Sequence, residues 1–117
     1  FKNLVPLGRK LSVGVSSDGT QRNTVIDLFL TEDESSLDTY ELEEQEVFAI
    51  CTCPLDELYK VHSIEGYSFK VKAKKFDKSD IEIEVTKEIF PPNWDNYHFK
   101  MVMLIQRYFN GEKNLLY

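Results

Sequence analysis

With 117 residues, 42% hydrophobic and 13% aromatic, the chain has the material for one compact core, and a single domain over residues 1–117 is the expectation. Its net charge of −6 disfavours binding to a phosphate backbone, which depends on clustered Lys and Arg, so nucleic acid is not expected as a partner. No apolar run, Met101 to Ile105 included, is long enough to span a bilayer, and no signal-peptide pattern opens the chain, so the expectation is cytoplasmic residence with no membrane partner.

The chain enters on Phe1-Lys2-Asn3-Leu4-Val5-Pro6-Leu7, which reads as the edge of an ordered element and implies a boundary inside a longer protein. Residues 11–15 alternate apolar and small polar types as a half-buried strand does, and Ser16 to Asn23, centred on Asp18-Gly19, reads as a turn or loop. Val25, Ile26, Leu28, Phe29 and Leu30 then make an apolar run broken only by Asp27, which predicts a central strand covered on both faces. Thr31 to Glu46 is acidic and reads as a surface connection.

Val47 to Cys51 predicts a second buried strand, with Pro54 suited to the first turn of a helix over Leu55–Val61. That helix presents Leu55, Leu58, Tyr59 and His62 on one face, and Gly66 lies just past its end. Tyr67 to Ala73 and Ile81 to Val85 both have period-two patterning and predict an antiparallel hairpin, with lysines opposite glutamates on its solvent face, each pair worth ~0.2–1 kcal/mol. The last element is a helix capped by Asn93, running from Trp94 to Phe109 and closing at Gly111; being apolar nearly all round, it requires cover on more than one side or a partner.

Chemistry-bearing residues are sparse. Cys51-Thr52-Cys53 matches no standard zinc module and reads as two reduced thiols. His62 reads as a carbonyl cap or a surface residue, and His98 as a packed or hydrogen-bonded one. There is neither a Ser-His-Asp arrangement nor a phosphate-cradling glycine loop. One acidic stretch, Tyr40-Glu41-Leu42-Glu43-Glu44-Gln45-Glu46-Val47, sets several carboxylates ahead of a buried strand. Such a run is either a solvated face or a source of Mg²⁺ or Mn²⁺ ligands, and the second role requires convergence on one point.

That stretch, followed by Cys53-Pro54-Leu55-Asp56-Glu57-Leu58, resembles Nudix proteins of the branch similar to isopentenyl-diphosphate isomerase. So do Thr86-Lys87-Glu88-Ile89-Phe90-Pro91, Tyr97-His98-Phe99-Lys100 and Leu104-Ile105-Gln106-Arg107-Tyr108 near the end, and Leu4-Val5-Pro6-Leu7-Gly8 looks like the strand that follows the Nudix helix. The resemblance implies an α/β (α+β) fold, part of an α/β/α sandwich with a mixed sheet, a β-hairpin and a long C-terminal helix. It also implies cleavage of a nucleotide-like or other X-linked diphosphate, with Mg²⁺ or Mn²⁺ held by a Glu-rich Nudix box. No stretch of this sequence matches that box, whose expected place is just before Phe1, so the chain is expected to be the C-terminal portion of one such domain, without metal ligands and inactive alone.

Glu43, Glu44 and Glu46 are the candidate catalytic residues the resemblance leaves within the chain, as base or outer metal ligand. Two departures argue against isomerase chemistry: Arg22 and Thr24 stand where isomerases carry two metal-binding carboxylates, and Thr52 where they carry a pocket Trp. A non-catalytic interaction or dimerisation module, giving a homodimer, is the alternative that the apolar final helix motivates.

Overall fold

The computed structural model describes residues 4–92 and 95–117. The class is α+β: the described residues form two sheets of antiparallel strands and two α-helices. The described residues divide into two compact units, one of residues 1–32 with 92–117 and the other of residues 33–91.

In the first unit, β1 (Val5–Val15) and β2 (Gln21–Leu30) form an antiparallel ribbon in register from Val5↔Leu30 to Val15↔Gln21. Asp18 builds the connecting turn by accepting from the Thr20 N–H at 2.9 Å and from the Ser16 hydroxyl, while Gly19 supplies the left-handed φ of 86° that the turn needs. A bulge between Pro6 and Gly8 inserts Leu7, which is fully buried. Side chains alternate across a ribbon, so Lys10 shares the face of Leu28, and both are buried.

Helix α2 (Tyr97–Phe109) joins that face, where Leu104 completes a core with Leu7, Leu28 and Leu115. Tyr97, Met101 and Tyr108 flank Leu104 at helical spacing and pack on the same core. Val102, two positions before Leu104 and so on another side of the helix, is buried as well, in line with the expected cover on more than one side. Asn93 and Trp94, expected at the helix start, lie outside the described residues; α2 begins at Tyr97, after Asn96 in left-handed conformation (φ 57°).

The reading of Val25 to Leu30 as a central strand is corrected. Among the described residues β2 has one neighbour, β1, and Val25 and Phe29 are 63% and 53% exposed. An apolar run alone does not say how many faces are covered, and here only the Leu28 side is.

The second unit holds the sheet β3-β4-β5: β3 (Ala49–Cys51) at one edge, β4 (Ser68–Lys75) central and β5 (Asp80–Thr86) at the other edge. Both of its pairings are antiparallel, as is that of the ribbon, where the resemblance implies one mixed sheet. The hairpin has the expected register, with Lys70↔Glu84 and Lys72↔Glu82 on one face and Phe69↔Val85 and Val71↔Ile83 on the other.

Helix α1 (Leu55–Ser63) follows Pro54, which stands at the cap position rather than inside the first turn and accepts the Leu58 N–H at 3.0 Å. Its inward residues are Val61 and His62, while Tyr59 is 39% exposed. The stretch between Glu32 and β3 is a surface connection as expected, shaped by a short 3-10 turn, Leu37–Thr39, that Ser36 caps through the Asp38 N–H.

Candidate functional site

The three candidate glutamates sit on one tight turn ahead of β3. The N–H groups of Glu46 and Val47 both donate to the Glu43 carbonyl, at 2.9 and 2.8 Å, which wraps Glu43, Glu44 and Glu46 around a single reversal with all three exposed. The backbone leading into this turn is well held. Asp33 accepts from the Ser35 N–H at 2.9 Å and from the Tyr40 hydroxyl. The Ser35 hydroxyl first, then the Tyr40 hydroxyl and the Ser35 N–H, hold its carboxyl down at about 2, and the bond to Asp33 pushes the Tyr40 phenol up.

From the tip of the β4–β5 hairpin the Lys78 ammonium donates to the carbonyls of Asp38 and Tyr40, at 2.8 and 2.6 Å. No group of three or more His, Cys, Asp or Glu among the described residues could hold a metal ion. Glu43, Glu44 and Glu46 thus do not converge on one point with a further ligand among the described residues.

A cavity of about 490 Å³ opens beside the end of α1, lined among others by His62, Glu65, Tyr67, Glu84, Thr86 and Glu88. His62 is not a surface residue: it is 9% exposed, with its ring 4.8 Å from that of Phe90. The helical period accounts for this, because position 62 follows Leu55 and Leu58 on the sheet-facing side. Tyr67 closes the near wall, its hydroxyl donating to Glu57 and its ring lying 5.9 Å from the Lys60 ammonium.

The first unit holds the most desolvated charges. Lys10 and Asp95 pair at 3.6 Å with side chains 5% and 4% exposed, and the Tyr117 hydroxyl donates to the same carboxylate oxygen. Burial acts against the Asp95 carboxylate, yet the Tyr117 hydrogen bond and the Lys10 charge outweigh it and hold the carboxyl below its ordinary range. The Lys10 ammonium also lies 4.6 Å from the centre of the Tyr97 ring, and burial together with Lys10 depresses the neighbouring His98.

Next to this group a cavity of about 320 Å³ is lined by Lys100, Met103, Leu104, Arg107, Leu116 and Tyr117. Lys100, Leu104 and Arg107 recur at helical spacing, so α2 delivers two cations and an apolar side chain to one place. Lys100 lies over the Tyr117 ring at 5.1 Å, and Arg107 gives its Nε–H to Glu112 at 3.0 Å.

No known family, curated protein or solved structure matches the chain in comparisons of all three kinds. The Nudix resemblance thus rests on the strings quoted above alone. The acidic string becomes the Glu43 turn, Cys53 to Leu58 runs into the start of α1, and the closing string supplies both cations of the α2 cavity. Sequence reasoning missed the Lys10–Asp95 pair, because the alternation of Leu11, Val13 and Val15 with Ser12 and Gly14 sets Lys10 on the polar side, whereas the structure buries Lys10 and leaves Leu11, Val13 and Val15 exposed. The Lys78 clamp has no sequence signal. No described helix is long and apolar enough to cross a membrane.

Proposed function

We propose that this chain is the C-terminal part of a Nudix-type hydrolase domain that cleaves a diphosphate linkage in a nucleotide-like or other X-linked diphosphate. In this reading Mg²⁺ or Mn²⁺ is held by a Glu-rich box that matches nowhere in these residues, and the protein works in the cytoplasm. The observation that supports it most is the α2 cavity, because three residues that carry the resemblance, Lys100, Leu104 and Arg107, line it together. Two cations over an apolar floor suit a polyanionic group attached to a less polar remainder. Independently of that cavity, the resemblance of the acidic string gives Glu43, Glu44 or Glu46, exposed on the turn ahead of β3, the role of a base or an outer metal ligand.

The test is to assay the intact protein with Mg²⁺ against a panel of diphosphates, beside Lys100→Met and Arg107→Met. The expected result is metal-dependent turnover with KM raised roughly tenfold in each variant. A folded preparation that turns over no member of the panel overturns the reading.

A second reading, a dimerisation module, draws on a different observation. The ribbon face opposite Leu28 carries Leu11, Val13, Val25 and Phe29, all between 42% and 63% exposed. An apolar stripe of this kind marks a contact surface, and a two-fold pairing of copies would cover it. Isomerase chemistry is the least supported reading, since the structure leaves Arg22, Thr24 and Thr52 exposed where carboxylates and a pocket Trp are required.

A further inference from the structure

We infer that Cys51 and Cys53 form a dithiol site that a small disulfide oxidises, closing a Cys51–Cys53 bond at the end of β3. The two sulfurs lie 3.9 Å apart and both residues are half-buried, while Thr52 between them is exposed. Closing to the ~2.05 Å of a disulfide asks each sulfur to move about 1 Å, within reach of small side-chain rotations.

The surroundings permit that movement. The β3 ladder ends at the pair Cys51↔Ala73, so Cys53 lies beyond the last paired residue of an edge strand. Ala73, opposite Cys51, carries the smallest apolar side chain and does not crowd the sulfur.

The chemistry balances with a low-molecular-weight disulfide as the oxidant. The Cys51 thiolate attacks one sulfur of the reagent and expels the other half as a thiolate, leaving a mixed disulfide on Cys51. Cys53 then loses its proton to solvent and attacks the Cys51 sulfur, expelling the second half. Two protein thiols have given up two electrons and two protons, and one reagent disulfide has become two thiols. Burial, then the charge and hydrogen bond of Cys51, push the Cys53 thiol up to about 11. The mixed disulfide removes both contributions of Cys51, which eases ionisation of Cys53 when its attack is due.

The experiment treats the reduced 117-residue chain with oxidised glutathione, blocks remaining thiols with an alkylating agent, and reads intact and peptide masses. The expected product has lost two hydrogen masses, takes up no alkylating agent and has released two equivalents of glutathione. Cys51→Ser and Cys53→Ser each stop at one persistent glutathione adduct. A wild-type protein that retains the adduct, or leaves both thiols open to alkylation, overturns the proposal without recourse to the variants.

Discussion

The Lys78 ammonium donates to the Tyr40 carbonyl at 2.6 Å, tying the tip of the hairpin to the loop that presents the acidic turn. Lys78 does so from a left-handed backbone position, φ 67°, where glycine would fit at lower cost. Lys78→Gly should therefore leave hairpin stability intact or slightly raised while releasing the loop. Hydrogen exchange checks this at the Thr39 and Tyr40 amides, which bond within the loop to Ser36 and Leu37. Roughly tenfold faster exchange there, with unchanged protection across β4 and β5, is the expected result. Unchanged exchange at Thr39 and Tyr40 would show that the clamp contributes nothing to the loop.

The buried Lys10–Asp95 pair makes a stability prediction. Lys10→Met leaves the carboxylate buried with Tyr117 as its remaining bonded partner, and should cost about 3–5 kcal/mol in urea unfolding. Lys10→Met combined with Asp95→Leu should recover most of that loss, because neither charge is then desolvated. A double variant as unstable as the single one would mean that packing, not charge, sets the cost.

Acid should expose the same carboxylate. The Asp95 carboxyl is held below its ordinary range in the folded chain, so in the window between its folded value and about 3.9 the unfolded chain binds more protons. The stabilisation is thus fully present above about 4 and is lost as pH falls through the folded value. Thermal unfolding followed from pH 6 to pH 2 should fall less steeply below pH 4 in Asp95→Asn than in the wild type. Parallel curves would contradict the assignment. At the exposed Asp33, a carbon-detected NMR titration should place the carboxyl at about 2, moving upward in Ser35→Ala, whose lost hydroxyl is the main cause of the depression.

The hairpin was legible in the sequence because period two fixes which side chains share a face, and register then follows from the turn: Lys70, Lys72 and Lys74 face Glu84, Glu82 and Asp80 as the alternation requires. The strand over Val25 to Leu30 was legible as a strand but not as an edge, since the apolar run that a central strand needs also occurs where one side meets water. His62 drew two readings, a place on the apolar face of its helix by period and a cap or surface place by residue type, and its 9% exposure agrees with the first. Lys10 escaped because its partner, Asp95, is distant in sequence, and a buried lysine is tolerable only once that partner is brought beside it. The acidic turn could be read from composition, while the hold of Lys78 on the Asp38 and Tyr40 carbonyls depends on tertiary structure, as does, in the other unit, the cavity that Lys100 and Arg107 line with Leu116 and Tyr117.

The dimerisation reading is separable from the enzymatic one. Replacing Val25 and Phe29 by lysine should leave the unfolding midpoint nearly unchanged, since both side chains are exposed. If a second copy covers that face, sedimentation should show a wild-type dimer and a monomeric variant. A wild type that sediments as a monomer at high concentration removes the dimer.

Hydrolysis of the intact protein's substrate in ¹⁸O-labelled water, with Mg²⁺, tests the proposed chemistry most directly. Attack of water on a diphosphate linkage places one labelled oxygen on one phosphate product, and chelation of the metal abolishes the reaction. A rearranged, unlabelled diphosphate, or no product from a folded preparation, would contradict it.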